Sequence, residues 1–199
     1  MSDTEHTDES VWLEDRVHEL YYSTKAREKA LAAAEIQPGK LAADIGAGTG
    51  FITEALCQNG LEVIAIDCCA TVLGEMKKKF ENSAAIHYKI GDAKRLPIPD
   101  ETIDYVFANM FLHHIDSPLE AIKEMTRVLK SGGKLVIIDF DEHNIEYLKH
   151  ECRDRWMGFK KDALSQWFNE AGLKNSNIQY ITESCCTEQV RIFIASGVK

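Results

Sequence analysis

The stretch Ala43-Asp44-Ile45-Gly46-Ala47-Gly48-Thr49-Gly50 decides the fold. It stands between an apolar, β-rich run, Leu41 to Ile45, and a run of helical spacing from about Thr49 to Asn59, which Gly60 closes as a C-terminal cap. Glycine at alternate positions lets the backbone fold tightly there and lets a ligand lie against the turn with no Cβ in the way.

Outward from this turn, strands and helices alternate, the pattern of a parallel sheet covered by helices on both faces. The spacing predicts strands at Leu61 to Ile66, Ile86 to Ile90, Ile103 to Ala108 and Lys134 to Asp139, and helices at about Thr71 to Phe80, Leu119 to Leu129 and Asp162 to Ala171. Leu96-Pro97-Ile98-Pro99-Asp100 is expected to be irregular, because each proline removes a donor and restrains its predecessor. Ser117-Pro118 opens the helix that follows, and Ser131-Gly132-Gly133 is expected to end it. A polar helical stretch over 143–155 and two strands, Ile178 to Thr182 and Val190 to Ala195, complete the chain. At the other end, helical spacing from Val11 to Glu35 stops at Pro38-Gly39.

With 199 residues and no linker-like tract, one structural domain is expected. Apolar residues at 45% and charged residues at 28% suit a globular protein and argue against disorder. The net charge of −9 would repel a phosphate backbone, and Lys77-Lys78-Lys79 reads as a solvated helix face, so no nucleic-acid partner is expected. No apolar run spans a bilayer and the start MSDTEHTDES is acidic, so a cytoplasmic protein with no membrane partner is expected.

Asp67 ends the second strand, 21 residues after Gly46, where a carboxylate can accept both hydroxyls of an adenosine ribose. Dinucleotide-dependent dehydrogenases share that geometry, but their fingerprint is GxGxxG, and here the third glycine comes one residue early. No Lys-Ser or Lys-Thr follows the turn, which excludes a Walker-type phosphate cradle. Asp44, beneath the turn, would repel a pyrophosphate but suits a ligand carrying an ammonium and a sulfonium.

With these residues the chain resembles the class I S-adenosylmethionine-dependent methyltransferases, of the broad group that includes the ubiquinone and menaquinone biosynthesis methyltransferases. The resemblance is close over about residues 38–140. It rests on Asp44-Ile45-Gly46-Ala47-Gly48-Thr49-Gly50, Asp67, Gly91-Asp92-Ala93, Asn109-Met110-Phe111-Leu112-His113-His114 and Leu129-Lys130-Ser131-Gly132-Gly133. It implies a Rossmann-like, doubly wound α/β fold with a seven-stranded sheet, mostly parallel, whose last strand is antiparallel. It also implies S-adenosylmethionine as cofactor, S-adenosylhomocysteine as product and a small-molecule methyl acceptor.

By the same resemblance Asp44, Gly46, Ala47, Gly48 and Gly50 form the cofactor loop, with Gly46 to Gly48 along the methionine half. Asp67 holds the ribose and Cys68 packs near the adenine. Asp92 meets the adenine amino group, Ala93 adds a backbone contact, and Asn109 sits beside the methionine portion, facing the acceptor. Residues 1–37 become N-terminal helices forming part of the acceptor-site lid, with Tyr21 and Tyr22 as candidate lid residues, and 38–199 the cofactor-binding core. A monomer or homodimer is expected. Residues 141–159 also resemble methyltransferase domains attached to arsenic-type repressor modules, but no such DNA-binding module, and so no repressor function, is expected here.

His113 and His114 lie just beyond the fourth strand, at the carboxyl end of the sheet where open α/β folds bind ligands. Either is a candidate general base near neutral pH, or a structural donor holding the loop. Asp139, Asp141 and His143 follow the fifth strand and are expected to face the acceptor, with Trp156 as pocket wall or simple packing. Of the six cysteines, Cys68-Cys69 and Cys185-Cys186 are adjacent pairs and Cys152 lies near His143 and His150. Neither pair has CxxC spacing, so no metal site is expected, while thiolates could still hold a metalloid or thiol acceptor. An NAD-dependent dehydrogenase and a non-catalytic S-adenosylmethionine-binding protein also remain compatible with the glycine turn.

Overall fold

The computed structural model describes residues 22–81, 83–144, 154–181 and 191–199. Most of the helix expected over 143–155 lies outside them, as do Tyr21, His150, Cys152, Cys185, Cys186 and everything before Tyr22.

Seven strands form one sheet in the order β3-β2-β1-β4-β5-β7-β6: β1 (Leu41–Ile45), β2 (Glu62–Asp67), β3 (Ile86–Ile90), β4 (Ile103–Asn109), β5 (Leu129–Phe140), β6 (Lys174–Ile181) and β7 (Ile192–Val198). The first five pair in parallel, and β7 enters antiparallel between β5 and β6. The antiparallel last strand is therefore as expected, and the two final strands are longer than their apolar centres suggested.

Alternation along the strands divides the core. Ala43, Ile45, Val106, Ala108, Leu135, Ile137, Phe193 and Ala195 face one layer, and Ala42, Tyr105, Phe107, Val136, Ile138, Ile192 and Ile194 the other. The first face carries α4 (Pro118–Val128) through Ala121, Ile122 and Met125, and α5 (Lys161–Glu170) through Leu164 and Phe168. The second carries α1 (Thr24–Ala34) through Ala26, Ala30 and Ala34, and α2 (Phe51–Gln58) through Ile52 and Leu56. Beyond α2, α3 (Ala70–Lys79) packs Leu73 and Met76 on Ala65 and Ile86. Ser23 caps α1 by accepting from Ala26 N, 3.1 Å away.

One boundary corrects the sequence reading. Ser131-Gly132-Gly133 does not close α4; the helix ends at Val128, because Leu129 is already extended and pairs with Ile103. The glycines lie inside β5, where the register with β4 shifts between Ile103 and Tyr105. The strand order reverses between β1 and β4, which opens a crevice at their carboxyl ends.

Candidate functional site

The turn after β1 is tied to the end of β2. Gly46 N and Ala47 N both donate to Ile66 O, at 2.9 and 3.0 Å, and Gly48 N donates to Asp67 Oδ2 at 3.0 Å. Cys69 N, heading α3, donates to the other oxygen, Asp67 Oδ1, at 2.9 Å. One carboxylate thus fixes both the glycine turn and the next helix, and each of its oxygens keeps a lone pair for a ligand hydroxyl.

Two glycines are required by space as well as by backbone angle. Gly46 has φ +68°, and a Cβ there would lie 2.1 Å from Phe111 Cδ2. Gly50 caps α2 at φ +86°, and its Cβ would meet Phe80 and Met76 of the α3 region at 2.5 and 2.8 Å. The early third glycine that departs from GxGxxG is therefore the point where α2 closes on α3.

Two cavities flank the turn. One of about 290 Å³ is lined by Gly46, Asp67, Cys68, Asp92, Ala93 and Phe111, and reaches His114, Asp116 and Arg155. The other, about 130 Å³, is lined by Asp44, Gly46, Ala47, Gly48, Asn109 and Met110, with Tyr22 and Phe51 at its side. Gly46 belongs to both. Met110 holds φ +47°, a strained angle for a non-glycine residue, and is pinned by its N–H to Ile138 O at 2.8 Å. Tyr22 stands edge-on to Phe51, ring centroids 5.4 Å apart, and Arg27 lies over the same ring at 4.5 Å.

Asp44 is buried at the floor of the smaller cavity. Its Oδ2 accepts from Thr53 N at 3.0 Å and Thr53 Oγ1 at 2.6 Å, while Oδ1 has no hydrogen-bond partner among the described residues. Burial pushes its pKa up to about 6 against the pull of the two Thr53 bonds, and the charge of Asp67 adds to the rise.

Beyond β4 the chain makes a 3-10 turn, Leu112–His114, clamped to β5 by Asp139. Asp139 Oδ2 accepts from Leu112 N at 2.9 Å and His113 N at 3.3 Å, and its Oδ1 lies 2.7 Å from His113 Nδ1 and 2.8 Å from Phe140 N. Burial disfavours charge on His113, but Asp139, with help from Asp154, outweighs it and raises the pKa. His114, 40% exposed, is held down to about 4 by burial and by the neighbouring His113. Burial, the leading cause, raises the carboxyl of Asp154.

The structure thus brings together every expected cofactor residue: Asp44, Gly46, Ala47, Gly48 and Asn109 around one cavity, Asp67, Cys68, Asp92 and Ala93 around the other, with Gly50 just behind. His114 and Tyr22 also reach a cavity, and His113 sits buried behind His114. Asp141 and His143 line neither. Asp141 accepts from Arg191 Nη2 at 2.6 Å, beside Tyr180 on β6, and His143 packs edge-on against Phe140 with its N–H on Met157 O. Asp139 faces the turn it clamps rather than the open crevice. Trp156 donates to Ile115 O at 2.7 Å and packs on Phe159 and Trp167. Cys68 and Cys69 are exposed free thiols. Phe111, Asp154 and Arg155 carry no role in the sequence reading. The contact of Phe111 with Gly46 crosses 65 residues, and no local motif marks Asp154, which lies 40 residues beyond His114.

Among known proteins, residues 43–137 match the model of the methyltransferase domain family. A demethylmenaquinone methyltransferase of Thermobifida fusca is 32% identical over 161 residues, covering 79% of this chain and 66% of that protein. Another, from Renibacterium salmoninarum, is 38% identical over 103 residues, covering 52% and 42%. The chain spans from about a quarter to two thirds of the length of the curated relatives it matches. In fold it is similar to phosphoethanolamine N-methyltransferase 2 of Haemonchus contortus, with a TM-score of 0.79 at 15% identity over 98% of this chain and 58% of that one. Sheet order, glycine turn and sequence relatives agree: the chain belongs to the class I S-adenosylmethionine-dependent methyltransferases.

Proposed function

We propose that the chain binds S-adenosylmethionine across the Gly46 turn and transfers its methyl group to a small-molecule acceptor. The observation that carries this is the pair of cavities that share Gly46 in their walls, one edged by Asp67 and Asp92 and the other floored by Asp44. The larger takes the adenosine: Asp67 receives the ribose hydroxyls, Asp92 the adenine amino group, Ala93 offers its backbone and Cys68 packs alongside. The smaller takes the methionine half, with the Gly46 to Gly48 backbone along it, Asp44 Oδ1 toward the ammonium, and Asn109 between cofactor and acceptor. Tyr22 and Phe51 form the rim, consistent with residues 1–37 serving as part of a lid. The Haemonchus contortus neighbour holds S-adenosylhomocysteine and phosphomonomethylethanolamine, in line with a small acceptor.

The reaction is an in-line displacement: an acceptor lone pair forms the new bond to the methyl carbon while the carbon–sulfur bond breaks and its electron pair stays on sulfur. Positioning and exclusion of water supply roughly 7–11 kcal/mol of such a barrier. A base is needed only where the acceptor must lose a proton. Of the two candidate histidines, His114 is the one that reaches a cavity, and with a pKa near 4 it presents a neutral imidazole at pH 7. His113 holds the turn.

Calorimetric titration with S-adenosylmethionine, S-adenosylhomocysteine and NAD tests the cofactor. Binding of both sulfur nucleosides is expected; uptake of NAD alone would refute the reading. Labelled cofactor with a panel of phenols, quinone precursors, amines, thiols and arsenite then identifies the acceptor class. Tight cofactor binding with no transfer to any acceptor would favour a sensor over an enzyme.

A further inference from the structure

Behind the larger cavity lies a cluster of two histidines and a carboxylate that touches the proposed site only through His114. Asp154 is 4% exposed, and neither of its carboxylate oxygens has a hydrogen-bond partner among the described residues. Burying an unpaired carboxylate is costly, and native structures pair such groups or place them on metals. Two imidazole nitrogens, His113 Nε2 and His114 Nδ1, both stand 3.5 Å from Asp154 Oδ1, too far for a well-made hydrogen bond. That separation has another meaning. Two donors bound at 2.0–2.2 Å to a tetrahedral cation are about 3.4 Å apart. One donor atom from each of the three residues falls within 4.8 Å of the other two.

The surroundings are also those of a ligand set. His113 has its second ring nitrogen, Nδ1, 2.7 Å from Asp139 Oδ1, an arrangement that turns Nε2 toward Asp154 and strengthens it as a donor. Asp139 is itself fixed by the backbone N–H groups of Leu112 and Phe140. Adjacent residues in a strand point apart, but the 3-10 turn brings the two imidazoles side by side, centroids 4.1 Å apart. Two carboxylates, Asp139 and Asp154, are buried around the pair, and a divalent cation with two neutral imidazoles balances both charges.

We propose that His113, His114 and Asp154 bind one divalent transition-metal cation of the zinc type. Two imidazole nitrogens and one carboxylate oxygen suit that class better than magnesium or calcium, which favour all-oxygen shells. Three protein donors leave a fourth position for water or for an oxygen or sulfur of the acceptor, and His114 is the ligand shared with the larger cavity.

The test uses the full chain, stripped with chelator and titrated with Co²⁺, read by visible absorption and by metal analysis. One Co²⁺ per chain is expected, with the visible bands of a tetrahedral site, stoichiometric displacement by Zn²⁺, and none of the near-ultraviolet sulfur charge transfer that cysteine ligation gives. Asp154→Asn and His114→Ala should each weaken binding by at least about 10–100-fold, the loss seen when even an outlying partner of a metal ligand is removed. Circular dichroism confirms that the variants fold, and either one suffices. Absence of Co²⁺ uptake, a sulfur charge-transfer band, or equal affinity in wild type and a folded variant would overturn the site. None of these readouts depends on methyl transfer.

Discussion

Lowering the pH from 7 to 5 should cost the protein most of its grip on S-adenosylmethionine, and Asp44 sets the size of the loss. Its pKa of about 6 makes it roughly nine-tenths ionised at pH 7 and one-tenth at pH 5. A ligand carrying an ammonium and a sulfonium binds the ionised form preferentially, so affinity falls as the carboxyl takes up its proton on acidification. The expected rise in Kd is about tenfold between pH 7 and pH 5, or about 1.4 kcal/mol. The ligand's own carboxyl and amino groups titrate outside this window. Calorimetry at pH 5, 6, 7 and 8, in two buffers of different ionisation enthalpy, measures both the affinity and the proton released on binding. Asp44→Asn keeps an oxygen for Thr53 but has no charge to lose, so its weaker affinity should be flat across the range. Equal Kd values at pH 5 and 7 in the wild type, or an unchanged slope in the variant, would refute the argument.

The same carboxyl acts oppositely on folding. A folded pKa above the ordinary 3.8 means that stability is lost as pH rises from about 4 through about 6, so the stability of Asp44→Asn relative to wild type should climb by up to about 3 kcal/mol over that interval in urea titrations. Gly46→Ala places a methyl group within the Phe111 ring at a left-handed backbone angle. A loss of at least about 1–3 kcal/mol and of cofactor binding is expected, with Phe111→Ala in the same chain restoring part of the stability and showing as a coupling energy. Asp139→Asn breaks the buried pairing with His113 and loosens the 112–114 turn. It should cost about 3–5 kcal/mol, seen as a fall of roughly 6–20 °C in thermal melts. Phe168→Ala empties the junction of α5 with β7 and should cost a similar 3–5 kcal/mol while leaving the cofactor Kd unchanged.

The cofactor half of the site was legible because its chemistry is local. Gly46, Gly48 and Gly50 stand in one turn, and Asp67 and Asp92 each terminate a strand or begin the loop after it, so strand ends read from the pattern place them together. The proposed acceptor half was legible only as a neighbourhood. His113 and His114 fall where expected, but what distinguishes them is the clamp from Asp139 and the approach of Asp154, 26 and 40 residues further on. Asp141 and His143 follow the right strand, yet β7 draws Asp141 to Arg191 and away from the crevice, a pairing fixed by the antiparallel register of Phe140 with Ile192. Likewise, Ser131-Gly132-Gly133 reads locally as a helix stop, while tertiary pairing of Leu129 with Ile103 ends the helix earlier.

These differences explain how one half of the site can stay constant while the other is tuned. The cofactor loop is secured by backbone bonds to Ile66 and by Asp67, so its shape depends on the sheet and on few side chains. The proposed acceptor wall is secured by a side chain: Asp139, rooted in β5, carries the 112–114 turn through three of its bonds. Asp154 and Arg155 in turn meet that turn, Asp154 through the histidine nitrogens and Arg155 through its N–H on His113 O at 3.0 Å. A substitution at Asp139 therefore alters His113, His114 and the two residues packed on them together, whereas a change at Cys68 or Ala93 touches the wall of the larger cavity alone. The acceptor side is thus coupled through Asp139, and specificity changes there should require compensating substitutions among these residues rather than single ones.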